Sequence, residues 1–176
     1  MRKIWEFKTK CPQCGEEITV ENYLYDAPLI GKLLISVSKC DGCGYRHNDV
    51  RAVESKGPHR LTLKVDGLKD LNILVVRSSS ASIRMPELGV EITPGPAAKG
   101  FISTVEGILD KVLEVLSIMK DDPEVDERAL KEKEEKINKA KEGKIAFTLI
   151  IEDPTGASRI ISDKAEREAL YGQNIA

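Results

Sequence analysis

Two pairs of thiols are the groups in this chain best placed to do chemistry: Cys11-Pro-Gln-Cys14-Gly15 and Cys40-Asp-Gly-Cys43-Gly44. Each is a C-x2-C-G knuckle. Such a turn aims two sulfurs at one point, and the glycine that follows can take φ > 0, which lets backbone N–H groups face the sulfurs. Two knuckles brought together make a closed tetrahedral four-sulfur site. That donor set suits one structural Zn2+, which takes four soft ligands at about 2.3 Å and has no redox chemistry. Two disulfides are a competing reading, since four cysteines allow three pairings. The opening Met1-Arg-Lys-Ile-Trp-Glu-Phe-Lys8 is charged and lacks an apolar segment. It does not read as a secretion signal, and disulfides seldom persist without export. A redox C-x2-C is normally single and set in a thioredoxin-like unit. Rubredoxin-type iron uses the same knuckles, and ligand identity alone does not separate Fe from Zn. His47 follows Cys43 closely, but the four-sulfur set is complete without it.

Other reactive constellations are absent from the sequence. Histidine occurs only at positions 47 and 59. There is no G-x-S-x-G elbow, Walker loop or G-x-G-x-x-G. Pro94-Gly-Pro-Ala-Ala-Lys-Gly100 lacks phosphate-loop spacing and reads as a turn. Ser78-Ser-Ser80 has no evident activating base and reads as a polar loop. A closed four-sulfur metal offers no position to a substrate. The expectation is a binding protein and not an enzyme.

The chain has 176 residues, room for one ordinary domain plus a metal-held module. Apolar residues make up 41%, enough for a core, and the formal net charge of −2 argues against a general polyanion binder. Residues 1–60 carry ten Lys/Arg against eight Asp/Glu. No apolar run approaches the roughly 18 residues of a membrane span. The chain reads as soluble and cytoplasmic. Charged residues reach 32% while glutamine occurs only at Gln13 and Gln173, a pattern of thermophilic proteins.

Residues 1–55 read as a four-cysteine zinc ribbon. Ile4–Phe7 leads into the first knuckle, Glu17–Val20 leaves it, Leu33–Lys39 delivers Cys40, and Tyr45–Val53 leaves the second. Lys56-Gly57-Pro58 is the expected junction. Residues 56–176 read as a β-rich domain, a barrel or double-stranded β-helix. Strands are expected at Arg60–Val65, Leu71–Val76, Ser82–Arg84 and Leu88–Ile92. A helical hairpin is expected at about 103–142. Ser103 and Glu106 form a capping-box pattern at its start, Pro123 opens the second helix and Gly143 stops it. Its charged middle, Lys131–Lys136, reads as a solvated face. Strands resume at Lys144–Ile151, and after an Asp153–Gly156 turn Ser158–Ser162 is expected to pair back.

Taken in order, several motifs resemble the ZPR-type zinc-finger family. They are the two knuckles, Cys43-Gly-Tyr-Arg-His-Asn-Asp-Val50, Asp70-Leu-Asn72, Pro86-Glu-Leu88, Ile92-Thr-Pro-Gly95, Thr104-Val-Glu-Gly107, Asp153-Pro-Thr-Gly156 and the ending Glu168-Ala-Leu-Tyr-Gly172. The resemblance covers about residues 8–173. It implies a four-cysteine zinc finger, with Cys11, Cys14, Cys40 and Cys43 holding one structural Zn2+. It also implies a following "A domain", a double-stranded β-helix carrying a helical hairpin. Eukaryotic members carry two such modules, bind translation elongation factor one-alpha preferentially with GDP, and assist its folding. They have also been linked to growth-factor receptor tails. One module resembles the archaeal form. The resemblance implies elongation factor one-alpha, or a related translation GTPase, as partner. Asp70, Asn72, Arg77 and Glu87 are the partner-binding candidates. The alternative is a nucleic-acid-binding ribbon of the transcription or translation machinery, using Lys39, Arg46, Arg51 and Arg60 as a basic strip.

Overall fold

The computed structural model describes residues 1–170 other than 29, 55, 56, 121, 123 and 124. Lys56 of the expected junction, Pro123 of the expected helix start and the last residues of the family-like ending lie outside the described residues.

The first four strands form an antiparallel meander: β1 (Arg2–Lys10), β2 (Glu17–Ala27), β3 (Gly31–Lys39) and β4 (Arg46–Ala52), in sheet order β1-β2-β3-β4. The cysteine knuckles are the turns of the β1–β2 and β3–β4 hairpins, so the topology brings both to one end of the sheet. The first three ribbon strands run longer than the sequence reading, β2 by seven residues, while β4 is shorter by one residue at each end.

The rest of the described chain makes two further antiparallel sheets. The larger holds β5 (His59–Val65), β7 (Ser82–Met85), β8 (Val90–Ile92), β10 (Phe147–Asp153) and β12 (Glu166–Ala169), in order β12-β5-β10-β7-β8. The smaller holds β6 (Leu74–Arg77), β9 (Phe101–Thr104) and β11 (Arg159–Ile160), in order β11-β6-β9. Alternation explains the larger sheet's core. Leu61, Leu63 and Val65 point inward from β5, opposite Ile151, Leu149 and Phe147 of β10, and all six are buried. The next inward pair is polar: His59 opposite Asp153. The fold is mainly β, a ribbon followed by a jelly roll, with a helical hairpin inserted between β9 and β10.

That hairpin is α2 (Val105–Met119) and α3 (Glu127–Lys141). Val105, Ile108, Leu109, Val112 and Leu116 bury one face of α2, and Leu130, Ile137 and Ala140 bury the matching face of α3. All join the core of the jelly roll. Gly143, at φ 71°, ends α3 as expected. Among the described residues, no helix is long and apolar enough to cross a membrane.

The local expectations need five corrections. The strand expected at Leu88–Ile92 starts only at Val90, because Pro86–Leu88 form a short 3-10 turn closed by Gly89 at φ 62°. Thr104, not Ser103, caps α2: its Oγ1 accepts the Gly107 N–H at 3.1 Å. Strand β9 runs through Thr104, opposite Leu74, so the helix begins one residue later than the pattern implied. Asp126 caps α3, accepting from Arg128 N–H at 2.9 Å. Leu71–Val76 is not one strand; a short helix α1 (Leu68–Leu71) precedes β6. Ser158–Ser162 does not pair back on β10. Its Arg159 and Ile160 pair with Val76 and Val75 of β6. The Asp153 carboxylate holds the Ser158 N–H at 2.7 Å, turning the chain toward the other sheet.

Ribbon and jelly roll meet along β4. Ala27, Leu33 and Ala52 bury against Val76 of β6. Gly100 N–H donates to Asp49 Oδ1 at 2.7 Å, and Ala52 N–H to the Ala157 carbonyl at 3.2 Å. Arg159 reaches the Glu54 carbonyl. A Cβ on residue 100 would stand 2.1 Å from the Val50 carbonyl oxygen, so only glycine allows this approach.

Candidate metal centre

The two knuckles have the same backbone. Cys11 N–H donates to Glu16 O at 2.7 Å and Gly15 N–H to Cys11 O at 2.9 Å; Cys40 N–H donates to Tyr45 O at 2.8 Å and Gly44 N–H to Cys40 O at 2.9 Å. Gly15 and Gly44 take φ 79° and 77°, the left-handed turn each knuckle needs. Cys11 and Cys40, the first cysteine of each pair, are buried beside Ile18, with Tyr45 packed against them. Cys14 is exposed and Cys43 half-buried.

All four sulfurs lie within 4.8 Å of one another, with Cys11–Cys43 at 3.6 Å and Cys14–Cys40 at 3.5 Å. Four sulfurs about 2.3 Å from a tetrahedral ion stand about 3.8 Å apart. The set therefore fits one ion. The cysteines are free, not paired in disulfides. Among the described residues the cluster is all-cysteine; His47 is not in it. The acid–base properties fit a cation. Burial opposes ionisation of Cys11, but the N–H groups of Cys14 and Gln13 outweigh it and bring the thiol down to about 7. At Cys14 the Glu16 N–H favours the thiolate, yet burial and the neighbouring sulfurs push the thiol up to about 12. Crowded sulfurs resist full ionisation, and a dication supplies the missing attraction. Glu16 lies across the second knuckle. Its carboxylate is 3.8 Å from the Cys40 sulfur, and a Cβ at Gly42 would overlap it.

None of the four partner-binding candidates belongs to the cysteine cluster: Asp70 and Asn72 share α1 and its end, Arg77 ends β6 and Glu87 lies in the turn before β8. Asp70 is buried in α1; its carboxylate accepts Lys164 Nζ at 2.8 Å and Asp66 N–H at 3.1 Å. Lys164 is the main reason its pKa is lowered. Asn72 is exposed at the end of α1, its Nδ2 3.5 Å from the Leu68 carbonyl. Arg77 is buried and donates to the carbonyls of Ala81, at 2.6 and 3.0 Å, and Lys99, at 3.2 Å. Glu87 accepts the N–H and the hydroxyl of Thr148 at 2.9 and 2.8 Å, tying its turn to β10. Of the basic strip, Lys39 pairs with Asp41 and Arg60 with Glu152.

Sequence reasoning missed one built cluster. Asp153 is fully buried and accepts from Ser158 N–H and Oγ (2.7 and 2.6 Å), Thr155 N–H and Oγ1 (2.8 and 2.7 Å) and Ser78 Oγ (2.9 Å). The signal was present: Asp153-Pro-Thr-Gly156 and Ser78-Ser-Ser80 both stood out, but nothing local joins them.

The profile of the ZPR1 zinc-finger domain matches residues 3–56, and that of the ZPR1 jelly-roll domain matches residues 69–172. The chain is 43% identical to a ZPR1-like protein of Methanocaldococcus jannaschii, over 94% of this chain and 85% of that one. It is 39% identical to a ZPR1-like protein of Pyrococcus horikoshii, over 98% and 81%. It is 32% identical to the zinc finger chaperone zpr1 of Schizosaccharomyces pombe, over 89% of this chain but 36% of the longer yeast protein. With both domain profiles in the same order and these relatives along nearly its whole length, the chain belongs to the ZPR1 zinc-finger family.

Proposed function

We propose that this chain is a non-enzymatic cytoplasmic protein that binds elongation factor one-alpha, or a related translation GTPase, and assists its folding. The observation that carries the reading is the closed four-sulfur cluster in a chain of this family, one of whose members is named a chaperone. Four thiolates complete a tetrahedral shell and leave no position for a substrate, so the ion's role is mechanical. A small ribbon buries little apolar surface of its own; its metal contributes on the order of 10 kcal/mol. The ribbon, residues 1–55, and the β-rich body, residues 56–176, act as two contact modules. Of the four candidates, Asn72 faces the partner, while Asp70, Arg77 and Glu87 hold their loops in shape.

The test mixes purified, zinc-loaded chain with an archaeal elongation factor one-alpha loaded with GDP or GTP. The reading expects a complex that survives moderate salt, favours one nucleotide state and is lost in Cys40→Ser. Absence of a complex, or binding to RNA with a steep salt dependence instead, would refute it.

A further inference from the structure

Among the described residues, strand β1 is the longest free sheet edge. Its backbone pairs with β2 alone, whereas β4, at the other edge of the ribbon, is packed on the jelly roll. The edge strands of the other two sheets, β8, β9, β11 and β12, have two to four residues. Strand β1 has nine, all of them exposed. Such an edge offers a row of N–H and C=O groups to another strand. Its two faces differ in chemistry. Trp5 and Phe7, opposite Asn22 and Val20, are 47% and 50% exposed and share one face with Thr9. Glu6 and Lys8, opposite Glu21 and Thr19, lie on the other face. The register with β2 slips between Lys3 and Trp5, so the regular stretch of the strand begins at Trp5.

The order of residues along β1 selects the occupant. Directly opposed residues of an antiparallel pair share a face, so a two-fold pair must be centred on a residue and not between two. Centred on Glu6, a second β1 would oppose two carboxylates; centred on Lys8, two ammonium groups. Centred on Trp5, it would take the irregular step into the middle of the pairing. Centred on Phe7, the regular stretch is matched throughout. Phe7 meets its symmetry mate, Trp5 meets Thr9, and Glu6 meets Lys8 twice, once on each side of the axis. Lysines on an edge ordinarily discourage pairing. Here Lys3 is neutralised by Glu6 and Glu21, and Lys8 by Glu17, all at the surface where a further carboxylate can be shared. A strand whose charges complement its own reverse favours a second copy over an unrelated strand.

We propose that β1 pairs antiparallel with β1 of a second copy of this chain about a two-fold axis at Phe7, joining two ribbons into one continuous sheet. The test is sedimentation velocity on the full, zinc-loaded chain, as wild type and as the single variants Glu6→Lys and Lys8→Glu. Both positions are exposed, and zinc content with circular dichroism checks that each variant is folded. Wild type should pass from one chain to two as its concentration rises through the micromolar range. Either variant alone sets like charges opposite each other and should dimerise about tenfold more weakly or worse. In an equimolar mixture of the two variants, each position 6 faces a position 8 of opposite charge, so a mixed dimer close to wild-type strength should form. Hydrogen exchange on wild type gives a second reading that needs no variant: β1 amides should gain protection with concentration while those of β8 do not. A wild-type chain that stays monomeric, a dimer that both variants keep at full strength, a mixture as weak as its components, or concentration-dependent protection confined to other strands would each overturn the proposal. None of these readings requires the elongation factor, so they stand or fall apart from the function proposed above.

Discussion

Replacing Asp153 with asparagine should destabilise the protein by about 3 kcal/mol at pH 7, with a pH dependence that identifies the cause. Burial alone would raise this carboxyl's pKa. The hydrogen bonds from Ser158, Thr155 and Ser78 outweigh it and lower the pKa from the ordinary 3.8 to about 2. At about 1.4 kcal/mol per unit, that depression is worth roughly 2–3 kcal/mol. An asparagine keeps one acceptor but turns an amide N–H2 toward groups that are themselves donors, adding about 1 kcal/mol. The sign follows from linkage: a depressed folded-state pKa gives stability that is complete above 3.8 and is lost as pH falls through it toward 2. The wild-type–variant difference, measured by urea unfolding of zinc-loaded protein, should be flat from pH 7 to about 5 and shrink below about 4. Acid also strips metal from cysteines, but it does so in both proteins and cancels in the difference. A variant within 0.5 kcal/mol of wild type (about the noise of surface substitutions), or a difference that grows in acid, would refute this account of Asp153.

Other perturbations probe the seam, the hairpin and the metal. Gly100→Ala must push a methyl group against the Val50 carbonyl and should cost about 1–3 kcal/mol, read as a lowered urea midpoint. Thr104→Ala removes the cap on Gly107 N–H and should cost about 1 kcal/mol, with restoration by Thr104→Ser. Cys40→Ser should abolish zinc binding and strip hydrogen-exchange protection from β1–β4 while β5 and β10 keep theirs. The jelly-roll core is a separate cluster, and among the described residues the seam's buried apolar patch is Ala27, Leu33, Ala52 and Val76, with Ile30 and Val50 partly buried against it. Loss of protection everywhere at once would mean that ribbon and body fold as one unit.

What could be read from the sequence was local and periodic. The knuckles announce their own turn geometry, and a second identical knuckle leaves few places for four sulfurs to go. The hairpin was legible because Val105 to Leu116 repeats at helical spacing and Gly143 can stop a helix. The cap was misplaced by one residue because Ser103 and Thr104 are equally good caps, and only the β6–β9 pairing decides where the strand ends. Strand β12 was missed because Glu166-Arg-Glu-Ala169 is exposed along its length and has little β preference; it forms by backbone pairing on β5. The switch of β11 to the smaller sheet depends on Asp153 reaching Ser78, residues far apart in the chain.

X-ray absorption at the zinc edge, on protein purified without added metal, addresses the central claim most directly. The account predicts one zinc per chain with four sulfur neighbours at about 2.3 Å and no nitrogen or oxygen in the shell. Iron in place of zinc, fewer than four sulfurs, or a metal-free chain with its cysteines joined as disulfides would contradict it.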